Sequence, residues 1–98
     1  MNIVIKKSST PGKKFEAIID GRKTVPFGQR GASDYTIHKD KKRKERYLAR
    51  HKNDNYNNPL YPSFYSTHLL WSKPTLTESI KDTNNRFKNI HIKLSRYN

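Results

Sequence analysis

The spacing of hydrophobic and polar residues changes along the chain, and each change marks an element. "NIVIKKS" (2–8) and "KFEAIID" (14–20) are rich in β-branched and aromatic residues, the composition of strands. Pro11-Gly12 between them predicts a tight reversal. Asp20-Gly21 is the strongest hairpin signal, because a type I′ turn needs positive φ at both central residues and Gly supplies it without strain. "RKTVPF" then returns as a third strand, with Pro26, which has no amide proton, at a sheet edge or strand end. Residues 1–28 therefore predict a three-stranded antiparallel meander.

"GQRGAS" (28–33) reads as a loop. For "DYTIHKD" (34–40) a strand and a helix entry capped by Asp34 or Thr36 compete. The preferred reading is a short extended segment ending on Asp40, the N-cap of a basic helix from Lys41 to Lys52. On that helix Lys44, Tyr47, Leu48 and His51 fall at i, i+3, i+4 and i+7, a narrow packing seam. "NDNYNNP" is a polar linker, and "PSFYSTHLLW" (62–71) a helix that starts on a proline and carries the centre of the core in Phe64, Tyr65, His68, Leu69 and Trp71. "TLTE" (75–78) is a capping box, and Leu76, Ile80, Thr83 and Phe87 behind it have helical spacing. In "NIHIKL" (89–94) Ile90, Ile92 and Leu94 alternate with His91 and Lys93, a strand that can join the N-terminal sheet. The expected fold is one small α+β domain over 1–98: meander at 1–28, basic helix at 40–52, helical pair at 62–87 and strand at 89–94, with about three helices.

Composition tests whether such a domain can hold together. Leu, Ile, Val and Phe number 20 of 98 residues, near the level at which a highly charged chain stays unfolded. Aromatic residues, 11% of the chain, argue for a small folded core because each buries a large area. With no cysteine, neither a disulfide nor a thiolate zinc site can supplement it. No apolar run approaches about 18 residues and the N-terminus lacks a signal-like apolar stretch, so a soluble protein of the cytoplasm, nucleus or virion interior is expected.

Charge changes the picture most. The 21 Lys and Arg against 8 Asp and Glu give a formal net charge of +13, which opposes folding by self-repulsion and which a polyanion would relieve. From Lys39 to Lys52 there are eight basic residues against two acids. A membrane surface is the weaker partner, since only Tyr47, Leu48 and Ala49 could face lipid. Nucleic acid is the stronger, through phosphate contacts that need charge and no base recognition. Lys41, Lys42, Arg43, Lys44, Arg46 and Arg50 are the principal candidate contacts, and Arg22, Lys23 and Arg30 the secondary ones. Lys6, Lys7, Lys13 and Lys14 add charge around the meander. The competing reading of the cluster is a solvated face or a localisation signal of the "KKRK" kind.

Other chemistry is sparse. Tyr35, Tyr47, Tyr56, Tyr61 and Tyr65 could stack on unpaired bases, Tyr35 and Tyr56 best if they lie in loops, although tyrosines beside a small core usually belong to it. The histidines at 38, 51, 68 and 91 have no metal-ligand spacing, so no metal or cofactor is expected. His38 and Asp40 are too close in sequence for the H-x-K-x4-D pattern of phospholipase-D-like enzymes, and Gly28-x-x-Gly31 is too short for a P-loop, so a non-enzymatic protein is expected.

The stretches "KTVPFGQRGASDYTIHKD", "RYLARHK", "LLWSKP" and "TESIKDTNNRF" resemble a family of small basic proteins encoded by nucleocytoplasmic large DNA viruses, the giant viruses of algae and protists. The resemblance runs from about Lys23 to Phe87. It implies a viral origin and no activity, and it carries over no functional residue. In that setting the expected function is phosphate-directed nucleic-acid binding, DNA before RNA, in the infected cell's nucleus or viral factory or inside the virion. The alternative is a minor capsid or virion-internal protein whose basic surface meets acidic viral structural proteins.

Overall fold

The computed structural model describes residues 1–95. Strands β1 (Asn2–Lys7), β2 (Lys13–Ile19) and β3 (Lys23–Gln29) form the expected meander, and β4 (His91–Leu94) joins it in the sheet order β3-β2-β1-β4. β4 runs parallel to β1, with Ile3 opposite Ile92, so the first and last strands of the described residues are neighbours in one sheet. Asp20 and Gly21 both hold positive φ, 51° and 69°, as the hairpin signal requires. Pro26 lies on the edge strand β3, where its missing amide costs no ladder bond.

The register places Ile3, Ile5, Ala17, Ile19, Val25, Phe27 and Ile92 together in the core. Against them pack α3 (Pro62–Tyr65), the π-helical turn Ser66–Leu70 that continues it, and α4 (Leu76–Arg86). Thr75 caps α4, its hydroxyl accepting the Glu78 amide at 3.1 Å. Phe64, Tyr65, Leu69 and Ile80 complete the core. The π-helical turn buries His68, Leu69 and Leu70 in succession, which ordinary helical spacing would not allow on a surface helix. Gly28 explains how Leu70 gets so close to the sheet. Its φ is +76°, and a Cβ there would stand 3.0 Å from the Leu70 Cδ1.

Both sheet edges are guarded. β3 carries Pro26, and on β4 the Asn84 side-chain amide accepts from the Ile92 amide at 2.8 Å and donates to its carbonyl at 2.9 Å. Asn84 thus occupies the position a further strand would take.

Two expectations are corrected. Residues 34–40 are not extended, because Tyr35–His38 forms a short helix, α1, capped by the Asp34 carboxylate, which accepts the Thr36 amide at 2.9 Å. The reason is tertiary: Asp34 is buried and its other oxygen is held by the Lys14 ammonium at 2.7 Å, so the cap is locked in place. The basic helix α2 spans Lys41–Arg50 and stops short of Lys52. There the chain turns, with the Asp54 amide donating to the His51 carbonyl and the two side chains paired at 2.7 Å. Among the described residues no helix is long and apolar enough to cross a membrane.

Candidate nucleic-acid interface

α2 begins as its sequence dictates. The Asp40 carboxylate accepts the amides of Lys42 at 2.9 Å and Arg43 at 3.4 Å, satisfying donors that the first turn leaves open. None of its residues is buried. At about 100° per residue, Lys42, Arg43, Arg46 and Arg50 fall within one arc of about 100°, and Lys44, Tyr47, Leu48 and His51 lie on the far side. The cationic arc faces solvent and the seam faces the protein.

What fixes so polar a helix is a column of rings. Tyr47 stacks on Trp71, centroids 4.2 Å apart and planes 2° from parallel, and His51 stacks on Tyr47 at 4.2 Å. His38 also meets Trp71 at 5.2 Å, tilted by 56°, and Tyr35 meets His38 at 6.2 Å. Such contacts contribute roughly 0.5–1.5 kcal/mol each beyond burial. Burial raises the Tyr47 hydroxyl above its ordinary pKa, while hydrogen bonds to Ser66 and Thr67 oppose the shift. Lys44 adds a polar tie, its ammonium donating to the Ser72 carbonyl at 2.6 Å and lying 5.1 Å from the Tyr35 ring centre. Burial, with the Lys73 and Lys41 charges, holds Lys44 below the usual lysine range.

The other cations of α2 have no such engagement. Among the described residues the ion pairs are Lys6 with Glu16, Lys14 with Asp34, His51 with Asp54 and Arg86 with Asp82, and none involves Lys41, Lys42, Arg43, Arg46 or Arg50. Between α2 and the sheet end where β2 starts and β3 finishes lies a cleft of ≈ 570 Å³, with Lys13, Arg43, Arg50, Tyr47, Leu70 and Trp71 in its walls. A second hollow of ≈ 520 Å³ is lined by Arg43, Arg46, Ala49, Arg50 and Trp71.

The family model for a family of unknown function, DUF5754, matches residues 3–51, half of the chain. The chain belongs to this family. No curated protein and no solved structure matches it. The DUF5754 segment takes in the meander, α1 and all of α2, so the basic helix and the sheet end facing it both lie within the family's pattern, and Trp71 lies outside it.

The secondary candidates in the DUF5754 segment fall in two places. Arg30 stands at the cleft end of the sheet, but its guanidinium donates to the carbonyls of Ser8 at 3.3 Å and Lys13 at 3.1 Å, clasping the β1–β2 turn. Arg22 and Lys23 are exposed at the opposite end, a strand's length of about 20 Å away. They are not brought to α2. The amides of Arg30 and Ala32 are spent on Gly12 and Gln29, so Gly28-x-x-Gly31 shapes a turn. His38 Nδ1 accepts the Asp40 backbone amide at 2.9 Å while the Asp40 carboxylate caps α2, an arrangement that leaves no carboxylate on the imidazole. No group of three or more His, Cys, Asp or Glu is placed to hold a metal ion among the described residues.

The tyrosines sort differently from the expectation. Tyr35 opens α1 and is buried, and Tyr65 is fully buried with its hydroxyl donating to Pro59 at 2.7 Å. Tyr56 is half-buried beside His68, and Tyr61 is exposed. The wall residue that sequence reasoning assigned to the core alone is Trp71. The one available hint was that Tyr47 and His51 lie a turn apart on the seam, where a stacking partner was needed.

Proposed function

We propose that this protein is a non-enzymatic nucleic-acid-binding protein of a large DNA virus, directed mainly at the phosphate backbone through α2 and acting in the infected cell or inside the virion. The viral setting rests on the sequence resemblance given above. The observation that carries the binding is the arc of Lys42, Arg43, Arg46 and Arg50, unpaired and solvent-facing on a helix whose opposite side is tied down by rings. That arc is unfavourable within the molecule. Lys42 with Arg46, and Arg46 with Arg50, repel at i, i+4 by a few tenths of a kcal/mol per pair. Lys41, Lys42 and Arg43 also sit in a first turn with no acidic residue, against the helix dipole. Phosphates laid along α2 reverse the sign of both terms.

The test is binding to generic DNA as a function of salt. With four phosphates neutralised, log affinity against log salt should fall with a slope of about −3 to −4, and more steeply with further contacts. A flat dependence, or no binding to DNA or RNA at low salt, would set the reading aside in favour of an acidic protein partner.

A further inference from the structure

We propose that the cleft between α2 and the sheet receives one unstacked base, so that the protein prefers single strands, frayed ends or flipped nucleotides over intact duplex. The proposal rests on the nucleic-acid reading above and deepens it. A duplex backbone would need only the convex arc of α2. The cleft beside it is concave, ≈ 570 Å³ in volume, within the size range of small-ligand sites. Its walls combine two chemistries that a nucleotide also combines. Trp71, Tyr47, Leu70 and Pro62 supply aromatic and apolar surface for a base, and Lys13 from the sheet and Arg43 and Arg50 from the helix supply charge for its phosphate.

The acid in the wall does not repel that phosphate. Asp34 is neutralised by Lys14 at 2.7 Å and caps α1. Trp71 is held by the Tyr47 ring stacked on it at 4.2 Å and by the tilted His38 ring at 5.2 Å, and it borders both hollows, so its orientation is set before any ligand arrives. Fixed aromatic walls with flanking arginines are how proteins hold unpaired bases without reading sequence.

Trp71 is the only tryptophan in the chain and serves as the reporter. The intact protein is titrated with a short thymidine oligonucleotide and with an abasic phosphodiester of equal length, at one salt concentration, while tryptophan emission is followed. The expected result is quenching by the thymidine strand alone and an affinity about tenfold higher than for the abasic strand. Ala32→Phe, which fills the cleft from an exposed loop position, should lower the thymidine affinity to the abasic level. It should leave affinity for duplex DNA and the thermal midpoint unchanged. Equal affinities for the two strands without quenching, or a full thymidine advantage in Ala32→Phe, would overturn the proposal while the phosphate-directed reading stands. Failure of both strands and of duplex to bind would remove both readings together.

Discussion

Phe64→Ala is expected to lower the free energy of unfolding by about 3–5 kcal/mol, the usual range for removing a fully buried ring. Phe64 is 0% exposed and stands among three rings, Tyr65 at 5.1 Å, His68 at 4.8 Å and Phe87 at 5.4 Å. Small domains have about 5–15 kcal/mol in total, and this one draws on few aliphatic side chains and opposes its own folding with a charge of +13. At the low end of that range the variant should be only marginally stable near room temperature, with a lower urea midpoint and an unchanged slope. A loss below about 1 kcal/mol would mean that the ring does not sit in the packed centre described here.

Acid should destabilise the protein through His68. Burial, reinforced by the Arg86 charge, pushes its pKa down to about 4, from an ordinary value of 6.5. Arg86 Nη2 lies 3.1 Å from His68 Nδ1, and because a guanidinium only donates, the bond requires a neutral ring. Asp82, which pairs with Arg86 at 2.8 Å, acts weakly in the opposite direction. The unfolded chain therefore takes up the proton first. Stability from this group is complete above pH 6.5, falls as pH drops below that value, and levels off below about 4. The loss by pH 5 is about 2 kcal/mol. Urea titrations at pH 7 and pH 5 measure it, and His68→Gln should remove most of the difference. If stability held level between these pH values, the buried neutral imidazole would be refuted.

The meander was legible in the sequence because its signals are local. β-branched runs, Asp20-Gly21 and Pro26 each act on their own few residues, and the observed turn and edge follow from them. The Asp40 cap and the seam of α2 were legible for the same reason. α1 was legible only as the second of two readings, because what favours it is Lys14, 20 residues earlier, holding Asp34. The π-helical turn left no periodic trace, and it is what buries three consecutive residues after Tyr65. In the candidate site, the cationic cluster could be read from composition along 39–52, whereas its narrowing to one solvent-facing arc follows from which side of α2 the rings tie down. The cleft could not, since it joins Lys13, Arg43 and Trp71 across the whole fold. Nor could the separation of Arg22 and Lys23 from α2, which depends on which end of the sheet the helix faces.

The central claim is that the positive charge acts from one place, the exposed arc of an anchored helix. Two variants of equal type and opposite position test it most directly: Lys42, Arg43 and Arg46 replaced together by Gln, and Arg22 and Lys23 replaced together by Gln. DNA affinity is measured for each from low to moderate salt. The account predicts that the helix variant flattens the salt slope by about 2 to 3, and that the hairpin variant leaves it nearly unchanged. Per-residue losses that are the same for both variants would contradict it, because the charge would then be working as a diffuse cloud around the whole molecule.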